Sequence, residues 1–450
     1  MTLANKIVFF LICTCMVLTT MLYGTVHQPT IALFYIFVSL MLILWAYDSY
    51  SGGRLQISRH VLQIPIFATA IYAFVQIIPF GTLTESNVSG IPRTISAAPF
   101  DTQLTGLHYL SLAIFFSVSI AYINSASRIS KLINLIAIFG FAYAFFAILQ
   151  SFLSPGKIYG IYERFGASPF GSFVSRHNFA AFMEMTLAIP LGLLFVGAVK
   201  RDKKLLYITA ITLMGISLLL SGSRGGFVSM LAEIVLLIFL TTRSKGAKNI
   251  ALKVVLASIL VSAVVLGAIF VGGESSLTRI AETANSKDVT TNRTHIWGIT
   301  LKVIGHNLPF GSGLGAFGQA YTQFDDYSGL ERVEQSHNDY LQVLADAGLV
   351  GAVIGGLFLF WLFKTGRRSI STNNLFRRGV AVGSLAGIFA ILVHSVFDFV
   401  LHTTAISVMF LLLIALLIAS GREYDDDEKE ELPERRRRSS AIVTPISSRR

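Results

Sequence analysis

Charge is scarce in this chain. Asp, Glu, Lys and Arg make up 14% of its 450 residues, while 53% are hydrophobic. A soluble helix needs a polar face, and most segments here have none, which excludes a soluble fold. Cysteine is nearly absent: Cys13 and Cys15 are the two in the chain, with no His or further Cys nearby. A disulfide framework or a cysteine metal site is therefore not expected, and the pair reads as small buried residues. The opening "MTLANKIVFFLICTCMVLTTMLYG" has Lys6 before an apolar stretch but lacks a small-residue cleavage site, so it reads as an uncleaved first helix. No internal repeat marks the inverted halves of a transporter.

Long apolar runs are what the chain has instead. Phe alone occurs 35 times, and mean hydropathy is +0.66. Runs of about 17–25 residues, the length that crosses a bilayer as helix, recur along almost the whole sequence. About twelve spans follow from length and charge flanks. They lie near 7–24, 29–48, 61–79, 106–124, 132–152, 177–198, 205–221, 227–242, 250–271, 343–364, 379–397 and 400–420. The fold class expected is an all-α polytopic membrane protein.

The connecting loops alternate in chemistry. One set is short and basic: Arg54 and Arg59; Arg128 and Lys131; "KRDKK" at 200–204; "RSKGAK" at 243–248; "KTGRRSISTNNLFRR" at 364–378. The other set, 80–104, 153–176 and 272–342, is longer and richer in Gly, Pro and acids. By the positive-inside rule the basic set and both termini are cytoplasmic. The net charge of +11 thus reads as a topology signal and not as a nucleic-acid footprint. Residues 1–421 form one transmembrane unit that includes the external loop 272–342. Residues 422–450 form a charged cytoplasmic tail, expected to be disordered. Its Arg435–Arg438 could touch anionic lipid, although a solvated tail is the simpler reading. Chemistry in the external loop would take place where there is no ATP, so its substrate must arrive already activated.

Five stretches could carry chemistry. In "SGSRGGFVSML" (221–231), Ser223 precedes Arg224 at the outer start of a span. A guanidinium fork beside free N–H groups at a helix start suits a phosphate; an arginine snorkelling to the interface is the alternative. In "TTNRTHIWGITLKVIGHNLPFGSGLGAFGQAY" (290–321), Arg293 opens an amphipathic helix at the outer surface. It is a second candidate phosphate ligand or a surface arginine. The Gly-rich run after it reads as a tight loop re-entering the protein. In "VEQSHNDYLQVLADAGLVG" (333–351), His337 is the side chain best able to take a proton near neutral pH. Asp339 is its orienter or a rival base; Ser336 or Asn338 is a helix N-cap before Tyr340. In "SFVSRHNFAAFMEM" (172–185), Arg176, His177 and Asn178 start a span that contains Glu184. They line a cavity or cap a helix above one buried ion pair. In "HSVFDFVLH", His394, Asp398 and His402 share the spacing of one helical face. A metal site is conceivable there, but a hydrogen-bonding role within the bilayer is preferred.

Together these pieces resemble the O-antigen ligase family, within the superfamily of O-antigen polymerases and bacterial O-oligosaccharyltransferases. The resemblance is carried by "GSFVSRHNFAAFMEM", "SGSRGGFVSML", "NRTHIWGITLKVIGHNLPFGSGLGAFGQAY" and "SHNDYLQVLADAGLVG", in that order over roughly residues 170–355. It implies a GT-C-like helical fold whose large periplasmic loop holds short helices. It also implies a metal- and cofactor-independent glycosyltransferase at the periplasmic face of the inner membrane. The donor would be an undecaprenyl-diphosphate-linked glycan and the acceptor a lipid A–core sugar. His337 resembles the catalytic histidine. Arg224 and Arg293, with Arg176 less directly, resemble the arginines that hold the donor diphosphate. Ser223, Asn338, Asp339 and Tyr340 would support them. The first motif departs from the family's usual "NRNHFAGY" by exchanging His and Asn, which leaves His177 and Asn178 without an individual role. Two rival functions stay open: a polymerase of the same superfamily, and a polytopic transporter or lipid flippase.

Overall fold

The computed structural model describes residues 2–53, 55–82, 92–163, 166, 168–242, 251, 253–255, 257–270, 293–326 and 332–422. The whole of the expected external loop before Arg293, the basic stretch 243–248 and the tail with Arg435–Arg438 lie outside them. Among the described residues the chain builds helices and no strand. In order these are α1 (Leu3–Met21), α2 (Gln28–Ser51), α3 (Gln63–Gln76), α4 (Pro99–Tyr122), α5 (Ala126–Leu153), α6 (Arg176–Val196), α7 (Lys204–Leu220) and α8 (Arg224–Thr241). Then follow α9 (Lys253–Phe270), α10 (Arg293–Asn307), α11 (Phe317–Thr322), α12 (Asp339–Ser369), α13 (Leu375–His394) and α14 (Thr404–Ser420).

Each expected span coincides with one of these helices. Ten helices among the described residues are long and apolar enough to cross a membrane, α7 being counted with the turn before it as Arg201–Leu220; α3 and α14 are apolar but shorter. Every residue of α14 is buried, so the rest of the bundle walls this helix on all sides. α3 donates from its C-terminal end into a loop that re-enters the protein beside it. Gln76 Nε2 bonds the carbonyls of Phe310 and Asp346 at 3.0 and 2.9 Å, and Gln76 Oε1 accepts from Leu314 N–H at 2.9 Å.

That loop is the Gly-rich run, and it splices into a break in α12. Gly348 has φ 58° and ψ −145° inside the helix, a conformation open to glycine alone at low cost. The break strands the carbonyls of the preceding turn. Ser312 N–H and Gly313 N–H supply the missing bonds, to Ala345 O at 2.8 Å and Asp346 O at 3.0 Å. In return, Leu349 N–H donates to Pro309 O at 2.8 Å. Irregular backbone is thus tolerated because the protein itself satisfies it.

α6 and α13 form the centre of the bundle. A Cβ built on Gly192 would stand 2.4 Å from Gly383 Cα, so the two backbones touch in the manner of small-residue membrane interfaces. Gly192→Val should force them apart and cost about 1–3 kcal/mol of stability. A thermal unfolding midpoint in detergent equal to that of the unsubstituted protein would contradict this packing.

The helices alternate in direction, and side-chain contacts show which ends they share. At one end, Asn5 Nδ2 and Tyr122 OH both donate to Asp48 Oδ2, at 2.8 and 2.7 Å, and Arg422 Nη2 donates to Ser58 Oγ at 2.8 Å. This is the basic end. At the opposite end Thr404 Oγ1 donates to Thr25 O at 2.9 Å, and Asn178 Nδ2 donates to Thr403 Oγ1 at 2.7 Å. The four polar motifs and "HSVFDFVLH" all gather at this second end.

Candidate active site

Arg176 is the first residue of α6 and Arg224 of α8, while Arg293 is the first described residue of α10. Short polar side chains cap two of these helices: Ser175 Oγ accepts from His177 N–H, and Ser223 Oγ accepts from Gly226 N–H at 3.2 Å. Helix starts present unpaired N–H groups and the positive end of the helix dipole. They lie close together here. A methyl group on Gly222 would stand 3.5 Å from Arg176 Nη1, and His177 Nδ1 is 3.0 Å from Ser223 Oγ. Arg224 is exposed at the mouth of α8.

His337 joins this end through a carboxylate. Its Nδ1 lies 3.1 Å from Asp398 Oδ1, and Arg293 Nη2 donates to Asp398 Oδ2 at 3.1 Å. Arg293 Nη1 also donates to Phe397 O at 2.5 Å. His177 Nδ1 approaches Asp398 Oδ2 at 3.6 Å, so one carboxylate ties together α6, α10 and the loop before α12. Burial pushes the Asp398 carboxyl up, but the His337 hydrogen bond and the charges of His177, Arg293 and His337 outweigh it. The group is held well below the usual carboxylate range. An ionised carboxylate only accepts hydrogen bonds, so the neutral form of His337 turns an Nδ1–H toward it and keeps its lone pair on Nε2. Asp398 is 6% exposed and His337 35%. The base-capable nitrogen is thus on an accessible ring behind which the carboxylate is sealed. Phe399 braces that ring edge to face, with centroids 4.9 Å apart.

The loop before α12 is built to hold His337 in this position. His337 itself has φ 53°, a left-handed conformation that is strained for a residue with a side chain. Its neighbours over-determine it. Asn338 caps α12, its Oδ1 accepting from Tyr340 N–H and Leu341 N–H at 3.0 Å each, while its Nδ2 donates to Val396 O at 3.0 Å. Gln342 Oε1 accepts from Ser336 N–H at 2.7 Å, Ser336 Oγ donates to Asn338 O at 2.8 Å, and Trp297 Nε1 donates to Ser336 O at 3.0 Å. Tyr340 OH donates to Leu392 O at 2.7 Å.

The structure separates residues that the sequence grouped. Asp339 does not meet His337: its carboxylate accepts from Ser395 Oγ at 2.7 Å and lies 3.0 Å from His402 Nδ1. The three members of "HSVFDFVLH" also part company, because α13 ends at His394 and a turn follows. His394 Nδ1 lies 3.1 Å from buried Glu184, Asp398 takes His337 and Arg293, and His402 takes Asp339. They are hydrogen-bonding groups, each with its own partner. His177 and Asn178, exchanged in the motif, both lie at the edge of the site, one on Ser223 and Asp398 and the other on Thr403. A different trio, His295, Asp325 and Asp326, brings possible metal-ligand atoms within 4.8 Å of one another. Lys302 Nζ lies 3.8 Å from Asp326 and already supplies that trio with a cation. Sequence reasoning missed Asp398 as the partner of His337, since 61 residues separate them.

Residues 208–355 match the family model described as O-antigen ligase. Through this segment, about a third of its length, the chain is similar to the O-antigen ligase family. The family is one of glycan ligases and polymerases that act on lipid-linked glycans in membranes. The ligase segment holds Ser223, Arg224, Arg293 and His337–Tyr340. Arg176 and Asp398 lie outside it, yet they complete the same cluster. No curated protein matches the chain in sequence.

Proposed function

We propose that the protein transfers a glycan from undecaprenyl diphosphate to a hydroxyl of a lipid A–core sugar, at the periplasmic face of the bacterial inner membrane. The observation that carries this reading is the convergence of two helix starts opened by Arg176 and Arg224, and of Arg293, beside a histidine backed by a carboxylate. The acceptor oxygen attacks the anomeric carbon as the bond from that carbon to the phosphate oxygen breaks. His337 Nε2 takes the hydroxyl proton, and undecaprenyl diphosphate leaves. Direct displacement inverts the anomeric carbon. Negative charge builds on the leaving diphosphate, where Arg176, Arg224 and Arg293 and the starts of α6 and α8 stabilise it. Charge supplied in this way needs no metal ion. Asp398 holds His337 in its base-competent form and Arg293 in place. With the basic end cytoplasmic, the site faces the periplasm and both termini lie inside.

Arg224→Ala tests the anion-holding part of the reading. It should weaken binding of the lipid-diphosphate donor by ten-fold or more, since a charge-assisted hydrogen bond contributes about 1.5–3 kcal/mol. Arg367→Ala or Arg368→Ala, at the far basic end, should leave donor affinity unchanged. Equal losses in all three variants would mean that Arg224 contributes only to general surface charge.

A further inference from the structure

The flank of His337 formed by α12 and the turn before α14 is built from different chemistry. α12 carries Asp339, Gln342 and Asp346 three and seven residues apart, hence on one face. Across from them stand His402, whose Nδ1 is 3.0 Å from Asp339 Oδ1, and Tyr109 of α4, within electrostatic reach of both carboxylates. Arginine dominates the other flank. This one holds carboxylates, a histidine and a phenol.

Two observations mark this wall as more than scaffold. Asp346 is 2% exposed. Its Oδ2 accepts from Gln342 Nε2 at 3.2 Å, while its buried Oδ1 has no hydrogen-bond partner among the described residues. Such a group is costly, and an unsatisfied acceptor of this kind calls for an explanation. The wall is also open at its other end. His402 keeps 27% of its side chain accessible, and its ring lies 6.4 Å from Phe399, the ring that braces His337. A ligand resting against His402 therefore presents its groups beside His337. Two carboxylates would repel a diphosphate, whereas sugar hydroxyls donate to carboxylates and accept from imidazole and phenol.

Resting on the transfer reaction proposed above, we propose that the Asp339–His402–Asp346 wall is the acceptor subsite, binding hydroxyls of the acceptor sugar. In-line displacement needs the nucleophile opposite the leaving group. Separate arginine and carboxylate flanks, both reached from His337, allow donor and acceptor to occupy different sides of the base. Asp346 and Tyr109 are positioning residues, since neither touches the reacting atoms.

The test uses the full-length protein in vesicles, with the lipid-diphosphate glycan as donor and lipid A–core as acceptor. Asp346→Asn and Tyr109→Phe should each raise the acceptor KM about ten-fold, leaving kcat at saturating acceptor and donor Kd within about two-fold. Tyr109→Phe removes a single oxygen and serves if Asp346→Asn fails to fold. An unchanged acceptor KM, or donor affinity lost in the same proportion, would overturn the assignment; the latter would give the wall to the donor's sugar. Acceptor binding to donor-free vesicles should also weaken about ten-fold in both variants. This arm is independent of turnover. Intact acceptor binding in the variants would overturn the subsite, and absent transfer by the unsubstituted protein would overturn the reaction alone.

Discussion

His337→Ala should cut glycan transfer by about 10²–10⁴-fold, the usual contribution of a positioned general base, while donor binding stays intact. The two effects separate because base and anion ligands come from different elements. Arg176, Arg224 and Arg293 stand on α6, α8 and α10, and none depends on the imidazole for its place. Arg293 is held by Asp398 Oδ2 at 3.1 Å and the Phe397 carbonyl at 2.5 Å, contacts that do not involve the ring. The loop should also survive, since Asn338, Ser336 and Gln342 carry its hydrogen bonds. Alanine at a residue with φ 53° is no better suited to the left-handed region than histidine, so no large change in thermal midpoint is expected. Transfer assayed beside equilibrium donor binding checks this. A folded variant that still transfers at the original rate would remove His337 from the chemistry.

Asp398→Asn should be nearly as damaging, for a different reason. Asparagine keeps the shape but can present an N–H₂ where His337 needs an acceptor, and it no longer pairs with Arg293. In the serine-protease triad the corresponding change costs about 10⁴-fold through the wrong imidazole tautomer. A loss of that order in kcat, with a smaller loss in donor affinity through Arg293, is expected here. The substitution also leaves a signature in stability against pH. The folded-state pKa of Asp398 is depressed, so its contribution is fully present above the unfolded carboxylate value, about pH 4. It is lost as pH falls toward the folded value. Thermal midpoints in detergent between pH 7 and about pH 3 should therefore fall less for Asp398→Asn than for the unsubstituted protein. Parallel curves would show that Asp398 is not held ionised by His337, His177 and Arg293.

The membrane architecture was legible in the sequence because its signals are local. A run of apolar residues is measured along the chain, and so is the alternation of basic loops. The helix starts were legible too: Ser223 before Arg224 and Asn338 before Asp339 are capping residues in register with the helices they open. Pairing across the bundle was not. Asp339 lies two residues from His337 and was the natural orienter on sequence distance, yet as the first residue of α12 it faces Ser395 and His402. The orienting carboxylate, Asp398, is reached because α13 stops at His394 and the turn brings the next acid back toward the site. The spacing of His394, Asp398 and His402 gave the opposite impression, since it assumes that the helix continues. Likewise the Gly-rich run gave no sign that it repairs a break in α12; the partner carbonyls of Ala345 and Asp346 are more than thirty residues away.

The central claim is that a diphosphate-linked glycan is moved to a sugar hydroxyl by this one chain. Its most direct test is reconstitution of the purified protein in vesicles with an undecaprenyl-diphosphate glycan and lipid A–core, followed by identification of the product and its anomeric configuration. The predicted result is glycan joined to lipid A–core with inverted configuration, one undecaprenyl diphosphate released per linkage, and no product with His337→Ala. Glycan extended on a second undecaprenyl diphosphate would instead mark a polymerase. Donor carried across the bilayer with its glycan still attached would contradict transfer chemistry altogether.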